Sequence, residues 1–279
     1  MLVEMAIGDA YGAGFEFAPE DYVRKHNDAS GYVNHPRHSL PPGTYTDDTQ
    51  MAIALAEAIL SQEPWTPETI AKYFVKAFKR DPREGYAGGF YGFLQRIQDA
   101  NEFLADIRPN SDKSGGAMRA SPVGIFSSPE KVIEKSRIQA AITHDTPDGT
   151  NAAIASSLMS HYFLYDIGPK AGLGAFLESH VAGDWSKPWI GFASVKGMDC
   201  VRAAVTAVMA SNSLRELLTE CIAFTGDTDT IAAIAMPAGA CAEEIENNLP
   251  KTFYDDLENG QYGRNYLEEL DKKILELNP

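Results

Sequence analysis

The chain has 279 residues, 44% hydrophobic and 23% charged, an ordinary globular composition with enough length for a substantial core. Lys plus Arg number 24 against 39 Asp plus Glu, a formal net charge of −15, so the surface is poorly suited to coat a nucleic-acid backbone or an anionic membrane. Three cysteines with no CxxC pair argue against a disulfide framework and a thiolate zinc site. The opening MLVEMAIGDAYGAG lacks a basic stretch before its short apolar run, and no apolar run reaches the roughly 18 residues of a membrane span. A cytoplasmic location is expected.

In chain order, GDAYGAGFEF at 8–17 carries Gly8, Gly12 and Gly14, whose spacing suits tight helix contacts. A loop is expected at 27–43. The stretch YTDDTQMAIALAEAIL leads into a helix at 49–60, and TPETIAKYFVKAFKR predicts another, with Thr66 as cap, Pro67 in its first turn and Ile70, Tyr73, Phe74, Ala77 and Phe78 on one face. Loops at 108–122 and 183–191 separate helices expected at 130–142, 150–165 and 197–210. Ser213 and Glu216 read as a capping box opening the next helix. A helix at 229–246 contains Pro237, which predicts a kink. Leu267, Leu270, Ile274 and Leu277 share the face of a last helix. Alternating strand patterns are scarce and no fixed-period repeat is evident, so the fold class is all-α.

Two segments stand out as chemistry. Thr46, Asp47 and Asp48 precede one Ala-rich helix; Asp227, Asp229 and Thr230 open another. Helix capping alone would favour Asp and Thr there. Yet carboxylate plus hydroxyl oxygen is also the donor set that Mg²⁺, Mn²⁺ and Ca²⁺ prefer, and four converging carboxylates need neutralising charge. If the two clusters share one site, most of the chain is one domain, taken as 1–279. A prenyl-synthase-type diphosphate clamp would need DDxxD, and Asp47-Asp48 is followed by Thr49-Gln50-Met51.

The stretches GDAYGAGFEF, YTDDTQMA, SGGAMRASPVG at 114–124 and TGDTDTIAAIA at 225–235 together resemble the ADP-ribosylglycohydrolase family, with THDTPDGTNAA at 143–153 a looser match. The resemblance implies a compact all-α bundle of about a dozen helices around a central binuclear cleft, holding two divalent cations, Mg²⁺ or Mn²⁺. It implies Thr46, Asp47, Asp48, Asp227, Asp229 and Thr230 as metal ligands. Glu16 matches the acidic residue held near the scissile bond, with Asp47 and Asp229 as the other catalytic candidates. Ser114, Gly115, Gly116, Ala117 and Met118 match the loop cradling the ADP-ribose phosphates. Arg119 either helps there or pairs with a structural group, and His144 lines the ribose and phosphate pocket. One departure is Thr225-Gly226, where the family commonly has Gly-Gly.

The expected reaction is hydrolysis of ADP-ribose from a modified protein side chain, arginine first and serine or another O-linked or nucleic-acid acceptor second. The rival readings are an inactive ADP-ribose- or nucleotide-binding regulator and an immunity protein. The aromatic loops GYAGGFYGF at 85–93 and GDWSKPWIGF at 183–192 receive no role.

Overall fold

A computed structural model describes residues 1–277 apart from His38. His38, inside the loop expected at 27–43, and the last two residues of the expected 1–279 domain lie outside the described residues. Among those described there are fifteen α-helices and two short 3-10 turns, with isolated bridges but no β-strand. The helices are α1 Leu2–Ala13, α2 Glu20–His26, α3 Asp47–Leu60, α4 Pro67–Arg80, α5 Gly88–Arg96, α6 Ala100–Asp106, α7 Gly115–Met118 and α8 Pro129–Ala141. They continue with α9 Pro147–Leu164, α10 Leu173–His180, α11 Gly197–Ala210, α12 Leu214–Ala223, α13 Thr228–Gly239, α14 Lys251–Asp255 and α15 Arg264–Leu275.

Local chemistry sets many of the helix starts. Three helices begin with a hydroxyl cap followed by proline: Thr66-Pro67, Ser128-Pro129 and Thr146-Pro147, each hydroxyl accepting a first-turn N–H. In α4 the apolar stripe read from the sequence is the buried face. Ser213 caps α12 through the N–H of Glu216, but the Glu216 carboxylate reaches one residue further back than expected, to the N–H of Asn212 at 2.7 Å.

Two expectations are corrected. The stretch 108–122 is not continuous loop: it holds α7 and runs into a 3-10 turn at Ser121–Ile125. The helix expected at 229–246 stops at Gly239, two residues after Pro237, where the Cys241 and Ala242 N–H groups close tighter i−3 turns on the Ala238 and Gly239 carbonyls.

Helix α13 is buried on every side and packs against α1, α9, α11 and α12. Its contact with α1 is backbone to backbone. Gly8 and Gly12, four apart and so on one face, leave no room for a side chain. A β-carbon on Gly8 would stand 2.7 Å from the Ala232 carbonyl oxygen, and one on Gly12 would stand 2.6 Å from the Asp229 nitrogen. Helix α3 divides two apolar clusters. Its Ala52, Ile53 and Ala56 belong with α1, α9, α11 and α13, whereas its Met51 and Leu55 belong with α4, α5 and α6. The N-termini of α3 and α13, carrying the two Asp clusters, meet where α1 touches both.

Candidate metal centre

The first cluster is held from below by a residue on α1. Asp9, wholly buried, accepts hydrogen bonds from the Thr46 N–H (3.0 Å), the Thr46 hydroxyl (2.8 Å), the Thr49 N–H (3.0 Å) and the Thr49 hydroxyl (2.6 Å). It caps α3 from a neighbouring helix and sets its negative charge at the positive end of the α3 dipole. Asp47 and Asp48, between the two threonines, are thereby fixed in direction. Asp47 is further held by its N–H on the Glu84 carbonyl (3.1 Å) and roofed by Gly85, whose φ of +105° and contact with Asp47 and Thr46 exclude any side chain. Thr46, read from the sequence as a ligand, spends its hydroxyl proton on Asp9.

The second cluster depends on a left-handed turn. Thr225 (φ 59°) and Gly226 (φ 89°) precede Asp227 and run beside Ala193, whose carbonyl accepts the Asp227 N–H at 3.2 Å. A side chain on Gly226 would overlap the Ala193 carbonyl. Positive φ is strained for β-branched Thr225. Thr228 donates to the Gly12 carbonyl (2.9 Å), locking α13 to α1 at the site. Phe17, itself at φ 49°, donates its N–H to the Gly226 carbonyl (2.8 Å) and so ties the Glu16 segment to the Asp227 turn.

These connections bring the two clusters together. Glu16, Asp227 and Asp229 each present a carboxylate oxygen within 4.8 Å of the others. The Thr230 N–H donates to the Asp229 Oδ1 (3.0 Å), fixing that carboxylate at the first turn of α13. Among the described residues none of Asp9, Glu16, Asp47, Asp48, Asp227 or Asp229 has an ion-pair partner.

The electrostatic consequence is large. Burial pushes Asp9 up to about 6, against the hydrogen bonds from its threonines. Burial, then the charges of Asp227 and Asp9, pushes Glu16 up to about 7. Asp47, Asp48 and Asp229 are raised well above the carboxylate range, by burial first and by their acidic neighbours second. Asp227 is raised by burial, against hydrogen bonds that include the one from Ser114. The Oδ1 atom of Asp48 is buried with no hydrogen-bond partner. Hard oxygen donors, clustered without counter-charge and with one orphaned acceptor, fit a divalent cation of the Mg²⁺, Mn²⁺ or Ca²⁺ type.

A cavity of about 720 Å³ opens over this cluster. Glu16, Asp47, Asp48, Asp227, Asp229 and Thr230 line it, as do Arg108 and Lys113. Of the expected phosphate loop, Ser114, Gly115 and Met118 reach the cavity; Gly116 lies against the His144 ring, and Ala117 is buried with its carbonyl accepting from Ser156. The Ser114 hydroxyl donates to Asp227 (3.0 Å), which makes it a support of the acidic cluster. Arg119 is buried beneath the Phe74 ring (4.5 Å to the centroid) and held by Gln139 and Thr143. His144 lines the cavity, and burial with the nearby Arg119 cation lowers it to about 3, so its ring is neutral.

Sequence reasoning passed over Asp9 and Gly85, and it left Tyr86, Phe90 and Phe93 without the place they take on the cavity wall. The signal for Asp9 was a single carboxylate inside an otherwise apolar run. In the other aromatic loop Trp185 is core, while Ile190 and Phe192 are exposed and Phe192 rests on Phe17 (5.9 Å).

Comparison with known proteins agrees with this geometry. The sequence profile of the ADP-ribosylglycohydrolase family matches residues 1–279. The chain is 29% identical over 182 residues to the ADP-ribosylhydrolase ARH3 of Homo sapiens, a match covering 58% of this chain and 48% of that protein, so it spans about half the length of the ARH3 relatives it matches. It is 25% identical over 293 residues to the ADP-ribosylarginine hydrolase Tri1 of Serratia proteamaculans, covering 96% of this chain and 77% of that one. A solved structure titled ADP-ribosylglycohydrolase-related protein complex shares the fold, with a TM-score of 0.75 at 21% identity over 99% of this chain and 95% of the other. With a family profile spanning its whole length and the acidic clusters assembled in one cleft, the chain belongs to the ADP-ribosylglycohydrolase family.

Proposed function

We propose that the protein is a hydrolase that removes ADP-ribose from a modified side chain, with ADP-ribosyl-arginine as substrate and two divalent cations, Mg²⁺ or Mn²⁺, as cofactors. The observation that carries the reading is the cavity itself: five uncompensated carboxylates line it together with the cationic Arg108 and Lys113. The carboxylates suit cations and hydroxyl-bearing ribose, and the two cationic side chains suit an anionic diphosphate. Arginine is placed ahead of serine because the relative matching 96% of this chain is an ADP-ribosylarginine hydrolase.

Thr46, Asp47, Asp48, Asp227, Asp229 and Thr230 would hold the cations. Bound there, the cations supply Lewis-acid charge that orients the ribose hydroxyls and makes a water more acidic. Glu16 does the proton work. It is the half-buried member of the group and stands at the cavity wall within reach of Asp227 and Asp229. Its carboxylate takes a proton from the attacking water as the new bond to the anomeric carbon forms. It then returns that proton to the leaving guanidine nitrogen as the glycosidic bond breaks. Asp9 and Ser114 keep the acidic side chains aimed.

The test is release of free ADP-ribose from arginine- and serine-linked ADP-ribosylated protein, with Mg²⁺, Mn²⁺ or EDTA, for wild type and Glu16→Gln. Metal-dependent release by wild type from the arginine linkage, lost in the variant while ADP-ribose binding persists, supports the proposal. Release from serine alone would move the acceptor, and tight ADP-ribose binding with no release would mean a binding protein.

A further inference from the structure

Arg119, Thr143 and His144, all of them in the cavity lining, form a hydrogen-bonded series. The Arg119 guanidinium is wholly buried, with Nε donating to the Gln139 side-chain oxygen (2.7 Å) and Nη2 to the Gln139 carbonyl (3.0 Å) and the Thr143 hydroxyl oxygen (2.8 Å). Gln139 is itself fixed, its amide donating to the Gly116 carbonyl (2.9 Å). The Thr143 hydroxyl lies 2.6 Å from Nδ1 of His144.

Proton counting decides the direction of this series. An arginine can only donate, so Thr143 accepts from it. The hydroxyl has a single proton, and His144 Nδ1 is its one remaining neighbour. If Nδ1 carried a hydrogen instead, the Thr143 proton would have no protein acceptor in place, a costly arrangement for a buried hydroxyl. Nδ1 is therefore the acceptor, and in a neutral ring the hydrogen must sit on Nε2. That nitrogen stands over Gly115, where an added β-carbon would come within 3.2 Å of it. Both residues line the cavity, next to Lys113.

We infer that Arg119 and Thr143 are positioning residues that lock His144 in the Nε2–H form, so that the ring donates an uncharged, fixed hydrogen bond to an oxygen of the substrate's diphosphate. The diphosphate part of this inference rests on the proposed function; the tautomer does not. A neutral donor suits the place, because a cation on His144 would have to share the pocket with the buried guanidinium.

The experiment reads the two parts separately. Long-range ¹H–¹⁵N correlation spectra of the full-length protein, with His144 assigned by a His144→Gln variant, report the tautomer directly. The wild type is expected to show protonated Nε2 and unprotonated Nδ1. Thr143→Val should give a mixed population, and Thr143→Ser should restore the wild-type pattern. Calorimetric ADP-ribose affinity with Mg²⁺ present should fall about tenfold in Thr143→Val and recover in Thr143→Ser, with adenosine affinity unchanged. A wild-type ring protonated on Nδ1, or a Thr143→Val variant that keeps both tautomer and affinity, would overturn the inference. Protonated Nε2 in a wild type that binds no ADP-ribose would leave the lock standing and sink the functional reading.

Discussion

Gly12 and Asp229 are in backbone contact: the room a side chain would need at Gly12 is occupied by the main chain of Asp229 itself. The distance between α1 and the carboxylates of α13 is therefore set by an absent β-carbon. Gly12→Ala should push the helices apart, cost about 2–3 kcal/mol in stability by overpacking, and weaken divalent-cation binding at least tenfold. Gly31→Ala, where nothing lies within 4 Å, is the matched control and should be neutral in a thermal melt.

Asp9 should behave as a support rather than a spectator. Asp9→Asn keeps the shape but replaces an acceptor with an amide donor facing the N–H and hydroxyl groups of Thr46 and Thr49. Expected are a loss of about 2–4 kcal/mol in stability and a cation affinity lower by roughly 10- to 100-fold. Calorimetric Mn²⁺ titration alongside denaturant unfolding reads both.

The acidic cluster dictates how stability responds to pH. Without a cation, the folded state retains protons that ordinary unfolded carboxylates release above about pH 4. Asp9, raised to about 6, and Glu16, raised to about 7, release theirs later, and Asp47, Asp48 and Asp229 are raised too. Stability of the EDTA-treated protein should thus fall as pH rises from about 4 through 7. His144, lowered to about 3, acts oppositely and costs stability as pH drops below roughly 6.5, but one imidazole is outweighed by several carboxylates. Saturating Mg²⁺ should abolish the alkaline loss and add about 2.7 kcal/mol per cation at a hundredfold excess over its dissociation constant. Melting curves between about pH 4 and 8, with EDTA and with Mg²⁺, test the sign.

Thr225 offers a change in the favourable direction. Its φ of 59° is a conformation that a β-branched residue adopts only under constraint. Thr225→Gly should stabilise the protein by about 1 kcal/mol and leave cation affinity intact, because the Asp227 N–H to Ala193 bond remains. Gly226→Ala, which drives a methyl into the Ala193 carbonyl, should be strongly destabilising in the same assay.

Arg108 and Lys113 line the cavity and have no ion-pair partner among the described residues. Neutralising both to Gln should raise KM for the ADP-ribosylated substrate about 10- to 30-fold while kcat changes little, since exposed cations contribute about 1 kcal/mol each to binding an anion. Steady-state kinetics at low and high salt would show the wild-type advantage shrinking with ionic strength.

What could be read from the sequence was whatever announces itself locally. A hydroxyl–proline start and an apolar stripe gave α4, and α8, α9 and α11 were expected to within a few residues. Helix α1 carries no such stripe because it is buried all round, and α5 and α6 are short, α5 also glycine-rich. Asp47, Asp48, Asp227 and Asp229 were legible because they come in clusters. Asp9 was not, since what distinguishes it is a set of four donors 37 and 40 residues away. Arg119 shows the same limit: its partners Gln139 and Thr143 lie on a later helix and the turn after it, so its burial is a tertiary fact.

The bond between Thr228 and the Gly12 carbonyl joins residues 216 positions apart. During synthesis, α1 emerges on the order of ten to forty seconds before α13 can dock on it, at ordinary elongation rates. Throughout that interval a largely apolar helix bearing two carboxylates, Glu4 and Asp9, has no native surface to cover it, and neither Asp9 nor Glu16 has the partners that define its task. The acidic cleft is consequently among the last features the nascent chain can acquire.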